Sequence, residues 1–137
     1  MSFLLDTNVL SETRKPRCNP GVTEWIAATS ASRMHLSTLT IGEVGQGIAQ
    51  LQNRGDHRQA AVFEEWLDDV IQAFDERIVP VTLDVAQAWG TQSLERPVSP
   101  VDGLIAATAN VHGWTLVTRN TKDFEHTGVR LLNPFID

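Results

Sequence analysis

The chain predicts an α/β fold: a mostly parallel central sheet of about five strands, flanked by helices, in one domain spanning residues 1–137. Three observations carry this reading. Short apolar or alternating runs recur along the whole length, stretches of helical spacing separate them, and the two alternate with no linker or internal repeat. At 137 residues the chain is long enough to enclose one substantial core.

Phe3-Leu4-Leu5 is an apolar strand that stops at Asp6-Thr7-Asn8. Residues 9–14 follow as a helix stopped by Pro16, and residues 22–29 as a second, opened by Pro20-Gly21. Residues 34–38 alternate apolar and polar and form the second strand. Residues 40–52 are helical, with Gly42, Gly45 and Gly47 making a small face that lowers helix stability and admits another backbone. Beyond Gly55 lies the clearest helix. Phe63, Trp66, Leu67, Val70, Ile71 and Phe74 form its apolar face, and Glu64, Glu65, Asp68 and Asp69 its solvated one. Residues 78–81 are a third strand, shortened by Pro80, which has no N–H for a ladder. Helices over 82–94 and 99–111 lead to a fourth strand at 115–118. A fifth, at 130–132, ends before Asn133-Pro134.

Composition narrows the class. No apolar run is long enough to cross a membrane, and the N-terminus lacks the basic start and apolar middle of a signal peptide, so a cytoplasmic location is expected. Cys18 is the single cysteine, which excludes an internal disulfide and a cysteine-based metal framework. The formal charge of −6 argues against nucleic-acid binding by bulk electrostatics. That sum hides its distribution. Without Asp6, Glu43, Asp102 and Asp123, 11 basic residues face 13 acidic ones, and a divalent cation held by those four would turn a phosphate-repelling site into an attracting one.

In open parallel sheets, ligands bind outside the carboxyl ends of the strands. Asp6 falls there after the first strand, Glu43 and Asp102 in the first turns of two helices, and Arg119, Asn120, Lys122 and Asp123 after the fourth strand. Each acid also has a local reading. Thr40 and Glu43 fit a capping box, Ser99-Pro100-Val101-Asp102 fits another, Asp6 suits an N-cap and Asp123 a turn. Capping and ligand binding coexist, since a helix N-terminus favours an anion in either role. Carboxylates gathered at one edge repel unless a cation compensates them, and oxygen-only ligation suits Mg²⁺ or Mn²⁺. His35, His57, His112 and His126 are too scattered for a zinc site, and His112 before Gly113 reads as a helix C-cap. Arg14, Lys15, Arg17, Arg119 and Lys122 flank the acids and suit phosphate contacts, against a reading as ordinary surface charge. Sequence signatures for a nucleophilic serine, a phosphate-cradling loop or a dinucleotide site are absent. The tryptophans at 25, 66, 89 and 114 read as core or interface.

These residues, in this order, resemble the PIN-domain ribonucleases: Leu-Leu-Asp6-Thr7-Asn8-Val-Leu-Ser, Glu43 early in a helix, Asp102-Gly-Leu-Ile-Ala-Ala-Thr-Ala, and Thr-Leu-Val-Thr-Arg-Asn120-Thr-Lys-Asp123-Phe. The similarity is greatest to the VapC and FitB toxins of toxin–antitoxin pairs and covers essentially the whole chain. It implies a Mg²⁺- or Mn²⁺-dependent endoribonuclease that hydrolyses RNA phosphodiesters with a metal-activated water. Asp6 and Asp102 would hold metal directly, Glu43 would bind metal or help activate water, and Asn120 or Asp123 would fill a fourth site position where relatives often carry Asp. Thr7 and Thr118 become supporting hydroxyls. The resemblance further implies a neutralising antitoxin and a homodimer or toxin–antitoxin hetero-oligomer. Two alternatives stand beside it: a PIN-like RNA- or protein-binding module with a weak or inactive site, and a haloacid-dehalogenase-like phosphatase. The second wants another Asp where Asn8 stands.

Overall fold

The computed structural model describes residues 1–92 and 98–137. Among these, five strands form one sheet in the order β3-β2-β1-β4-β5: β1 (Phe3–Leu5), β2 (Met34–Ser37), β3 (Ile78–Val79), β4 (Thr115–Val117) and β5 (Leu131–Leu132). Every neighbouring pair is parallel, so the sheet is wholly rather than mostly parallel. Seven α-helices connect these strands among the described residues: α1 (Thr7–Glu12), α2 (Pro20–Ala28), α3 (Thr38–Asn53), α4 (His57–Phe74), α5 (Leu83–Gly90), α6 (Pro100–His112) and α7 (Thr121–Phe124).

A parallel sheet must be covered on both faces, and strand alternation sorts the side chains between them. Phe3, Leu5, Leu36 and Val117 face one layer, packed with Val9, Leu10 and Val22 of α1 and α2 and Val70 of α4. Leu4 and Leu116 face the other, against Ile105, Ala106 and Ala109 of α6 and Phe124 of α7. Apart from Ile105, the buried face of α6 is made of Gly103, Ala106, Ala107, Thr108 and Ala109, which lets that helix lie close to the strands. Gly103 does the same for its contact with α5, since a Cβ there would come within 2.9 Å of Trp89 Nε1. At Gly21 a Cβ would collide with the Pro134 carbonyl, so the C-terminal segment lies directly on α2.

Several expectations need correction. α1 begins at Thr7, two residues before the predicted start, because Asp6 itself caps it. α3 begins at Thr38 because Ser37, not Thr40, is its N-cap, and Ser37 Oγ accepts from Leu39 N at 3.0 Å. The capping box predicted for Thr40 and Glu43 is therefore not formed. The glycine face of α3 receives no backbone from the described residues: among them a Cβ at Gly42, Gly45 or Gly47 meets nothing within 4 Å. α4 packs on α3 through Val44, Ile48 and Leu51 instead. Ile71, assigned to the apolar face of α4, is 39% exposed, whereas Glu64, Glu65, Asp68 and Asp69 are solvated as expected. The helix predicted over 82–94 ends at Gly90, and its last two residues lie outside the described residues. Gly113, at φ 71°, closes α6 in the left-handed conformation. His112 is not a capping side chain; its ring stacks on Trp114 at 4.1 Å, and His35 covers the other side at 3.9 Å. No helix among the described residues is long and apolar enough to cross a membrane.

Candidate active site

The strand order places β1 beside β4, with the chain leaving the two strands toward opposite edges of the sheet. Such a switch point opens a crevice at the carboxyl ends of the strands. Asp6 ends β1 inside it, Glu43 lies in the second turn of α3 after β2, Asp102 in the first turn of α6, and Asn120 and Asp123 at and within α7 after β4. The topology thus gathers at one edge acids that are up to 117 residues apart in the chain.

Asp6 is the centre of the arrangement. It is only 5% exposed. Its Oδ1 accepts from Thr7 N at 2.8 Å, and its Oδ2 accepts from Thr118 Oγ1 at 2.9 Å and from Asn8 Nδ2 at 3.4 Å. Burial pushes its carboxyl up to about 6, the charges of Asp102 and Glu43 add to the rise, and the bonds from Thr118 and Thr7 oppose it. Asp102 is also raised, by burial first and then by the charge of Asp123, while its bond from Ser99 opposes the rise. Glu43 and Asp102 thus act on Asp6, and Asp123 acts on Asp102.

Glu43 is held from α1. Thr7 Oγ1 donates to Glu43 Oε1 at 2.5 Å and shares a 3.2 Å bond with Thr40 Oγ1. Thr40 is fully buried at this crossing, which explains why a residue resembling a cap serves as a brace. Asp102 follows Ser99 and Pro100 at the start of α6, where Ser99 Oγ accepts from Asp102 N at 3.3 Å, the cap predicted from sequence. Asn120 is exposed; its N–H donates to Thr118 Oγ1 at 3.1 Å and its carbonyl accepts from Asp123 N at 3.0 Å. Asn120, Asp123, Arg119 and Lys122 line one open hollow of about 370 Å³.

Of the other basic candidates, Arg14 lies 4.3 Å over the Phe63 ring on a cavity it shares with Thr7 and Glu43. Arg119 lies 4.8 Å over Phe135. Lys15 pairs at 3.0 Å with Glu12 and so braces the loop after α1. Two residues escaped sequence reasoning. Asn8 donates to Asp6 and to Thr118 Oγ1 (3.2 Å) and accepts the Arg119 N–H (3.1 Å), tying the end of β1 to the loop after β4. Glu12 is buried and accepts from Asn19 N at 2.9 Å, joining α1 to the cap of α2. Asn8 carried a signal, its place two residues beyond Asp6 in the opening turn of α1; Glu12 carried none.

The donors suit a hard divalent cation: oxygen only, partly buried, mutually repelling. Among the described residues no three His, Cys, Asp or Glu side chains stand together as a ready-made ligand group. Mg²⁺ does not need one, since it is commonly held through one or two carboxylates with water and phosphate filling its shell. Asp6 and Asp102 are the residues that could hold such an ion.

Fold and site together define an α/β domain with a carboxylate-lined, oxygen-donor crevice at a topological switch point. Residues 3–129 match the PIN domain family, and the chain belongs to that family, in its VapC/FitB type. It is 33% identical to the VapC ribonuclease Y4jK of Sinorhizobium fredii (strain NBRC 101917 / NGR234), over 97% of both chains. It is 32% identical to toxin FitB of Neisseria gonorrhoeae (strain ATCC 700825 / FA 1090), covering 98% of this chain and 99% of the relative. Its structure superposes on that of FitAB bound to an IR36 DNA fragment with a TM-score of 0.88, at 31% identity, covering 98% of this chain and 96% of the other.

Proposed function

We propose that this protein is a divalent-metal-dependent endoribonuclease and the toxin of a toxin–antitoxin pair. The observation that carries the proposal is the buried carboxyl of Asp6, held at the switch point by three hydrogen-bond donors with the charges of Glu43 and Asp102 acting on it. A ribonuclease and a toxin among its near-full-length relatives support the same reading.

Asp6 and Asp102 would hold Mg²⁺ or Mn²⁺, which would supply positive charge for the phosphodiester and acidity for water at neutral pH. Thr7 fixes one oxygen of Glu43 and leaves the other to orient the attacking water and take its proton. The water oxygen bonds to phosphorus as the bond to the leaving ribose oxygen breaks. Asn8 and Thr118 keep Asp6 and the loop carrying Asn120 in register, Asp123 adds negative charge beside Asp102, and Arg119 and Lys122 contact the RNA backbone. A cognate antitoxin neutralises the enzyme in a hetero-oligomer, in keeping with the likeness to FitAB.

The test is a cleavage time course on total tRNA and ribosomal RNA with antitoxin-free protein in Mg²⁺, Mn²⁺ or EDTA, beside an identically purified Asp6→Asn variant. Discrete fragments that require both metal and Asp6 are expected. RNA binding by folded protein with no cleavage in any metal would reduce it to a binding module.

A further inference from the structure

Beside the carboxylates, α1, α3 and α4 enclose a cavity of about 280 Å³. Thr7 and Glu43 form the wall it shares with the active site; Arg14, Arg54, Phe63 and Gly47 are among the other lining residues. We infer that this cavity is a nucleotide subsite, receiving the RNA nucleotide next to the scissile phosphate. The inference rests on the ribonuclease reading above and adds the place where the substrate strand leaves the site.

Four features point the same way. The cavity adjoins the acids through Glu43, so a phosphodiester at Asp6 has its neighbouring nucleotide at the cavity mouth. At about 280 Å³ the cavity has room for a single base and not for a duplex. The Arg14 guanidinium is already parked over Phe63, and such planes are what unstacked RNA bases pile against. Neither Arg14 nor Arg54 is paired with a carboxylate among the described residues, which leaves both for phosphate. Gly47 then gains a role that packing does not give it. A Cβ at this exposed position meets nothing within 4 Å among the described residues, and a side chain there would project into the cavity.

Gly47→Leu fills the cavity with a strong helix former, so its thermal midpoint should hold or rise. Using a defined single-stranded RNA that wild type cuts, KM should rise about 10-fold with kcat little changed, in line with the loss of one stacked base. Arg54→Ala provides a second variant that leaves the cavity open. In a cleavage-deficient Asp102→Asn background, both changes should weaken anisotropy-detected binding of the same labelled RNA, and Arg54→Ala should also flatten its salt dependence. Wild-type cleavage with unchanged KM and RNA affinity in both variants overturns the subsite and leaves the nuclease standing. Unchanged RNA affinity with weakened antitoxin binding assigns the cavity to the protein partner, also overturning it. Absence of RNA cleavage and binding by folded wild type removes the nuclease reading and the subsite with it.

Discussion

The carboxyl of Asp6 sits where a charge is costly, and its hydrogen bonds only partly offset that cost. Its folded value of about 6 lies above the ordinary 3.8, so in metal-free protein the folded state holds this proton more tightly than the unfolded chain. The linked stability is therefore fully present below pH 4 and is lost as pH rises through 6. Asp6→Asn should match wild type near pH 4 in EDTA and exceed it by about 1–3 kcal/mol at pH 7.5. Thermal midpoints measured across that range check this, and a wild type gaining stability over Asp6→Asn between pH 4 and 7 would contradict it. Thr118 tests the support. Its hydroxyl donates to Asp6 and accepts from both Asn8 and the Asn120 N–H, so all its bonding capacity is used. Thr118→Val keeps the shape and removes all three; activity should fall roughly 10–100-fold, with the metal titration midpoint moved to higher concentration. Asp6 stood out in the sequence because it directly ends an apolar strand, and the structure gives it the N-cap of α1 as well as its buried place. Asn8 was less legible, because an amide in a first helical turn reads equally well as local capping.

At the scale of the elements, α3 shows how a sequence signal misleads when two candidates overlap. Ser37 and Thr40 both precede helical spacing, and the Thr40–Glu43 interval fits a capping box. Pairing with β1 and β3 carries β2 on to Ser37, which leaves the helix to start at Thr38 and turns Thr40 inward against Thr7. Ser37→Ala should then cost about 1 kcal/mol in chemical denaturation, the usual cost of a lost cap. The glycines of α3 were legible as helix-weakening but not as open, because pattern alone does not say which face a neighbour covers. Gly42→Ala should stabilise the fold by about 1 kcal/mol, since the new methyl meets nothing and backbone freedom in the unfolded chain is reduced. α4 was legible through its long apolar stripe, and β3 was foreseen as short because of Pro80. The close approaches at Gly21 and Gly103 were hidden, since each depends on a partner distant in the chain or in the next helix.

For the whole molecule, alternation of strands and helices was enough to predict the layered α/β architecture, but not the order β3-β2-β1-β4-β5, which depends on which edge each crossover takes. That order is what makes the site: it places the end of β1 against the loop after β4 and so brings Asp6 near Asp102 and Asn8 onto Arg119. The charge of −6 is then a poor guide to partners, because part of the acidic excess is gathered at one edge, where the charges of Glu43 and Asp102 act on Asp6 and that of Asp123 on Asp102. Binding that acts on the folded state alone raises stability by mass action, by about 1.4 kcal/mol at tenfold saturation and further with excess. Mg²⁺ should accordingly raise the thermal midpoint of wild type at pH 7.5 while the same ionic strength of KCl does not. The increment should vanish in Asp6→Asn and in Asp102→Asn, although Asp6→Asn starts from the more stable metal-free state. That opposition separates ligand binding from general screening: screening would relieve repulsion among the remaining acids in every variant, whereas an ion held by Asp6 and Asp102 stabilises only the chain that carries both carboxylates. Equal midpoint shifts in wild type and both variants would place the cation elsewhere.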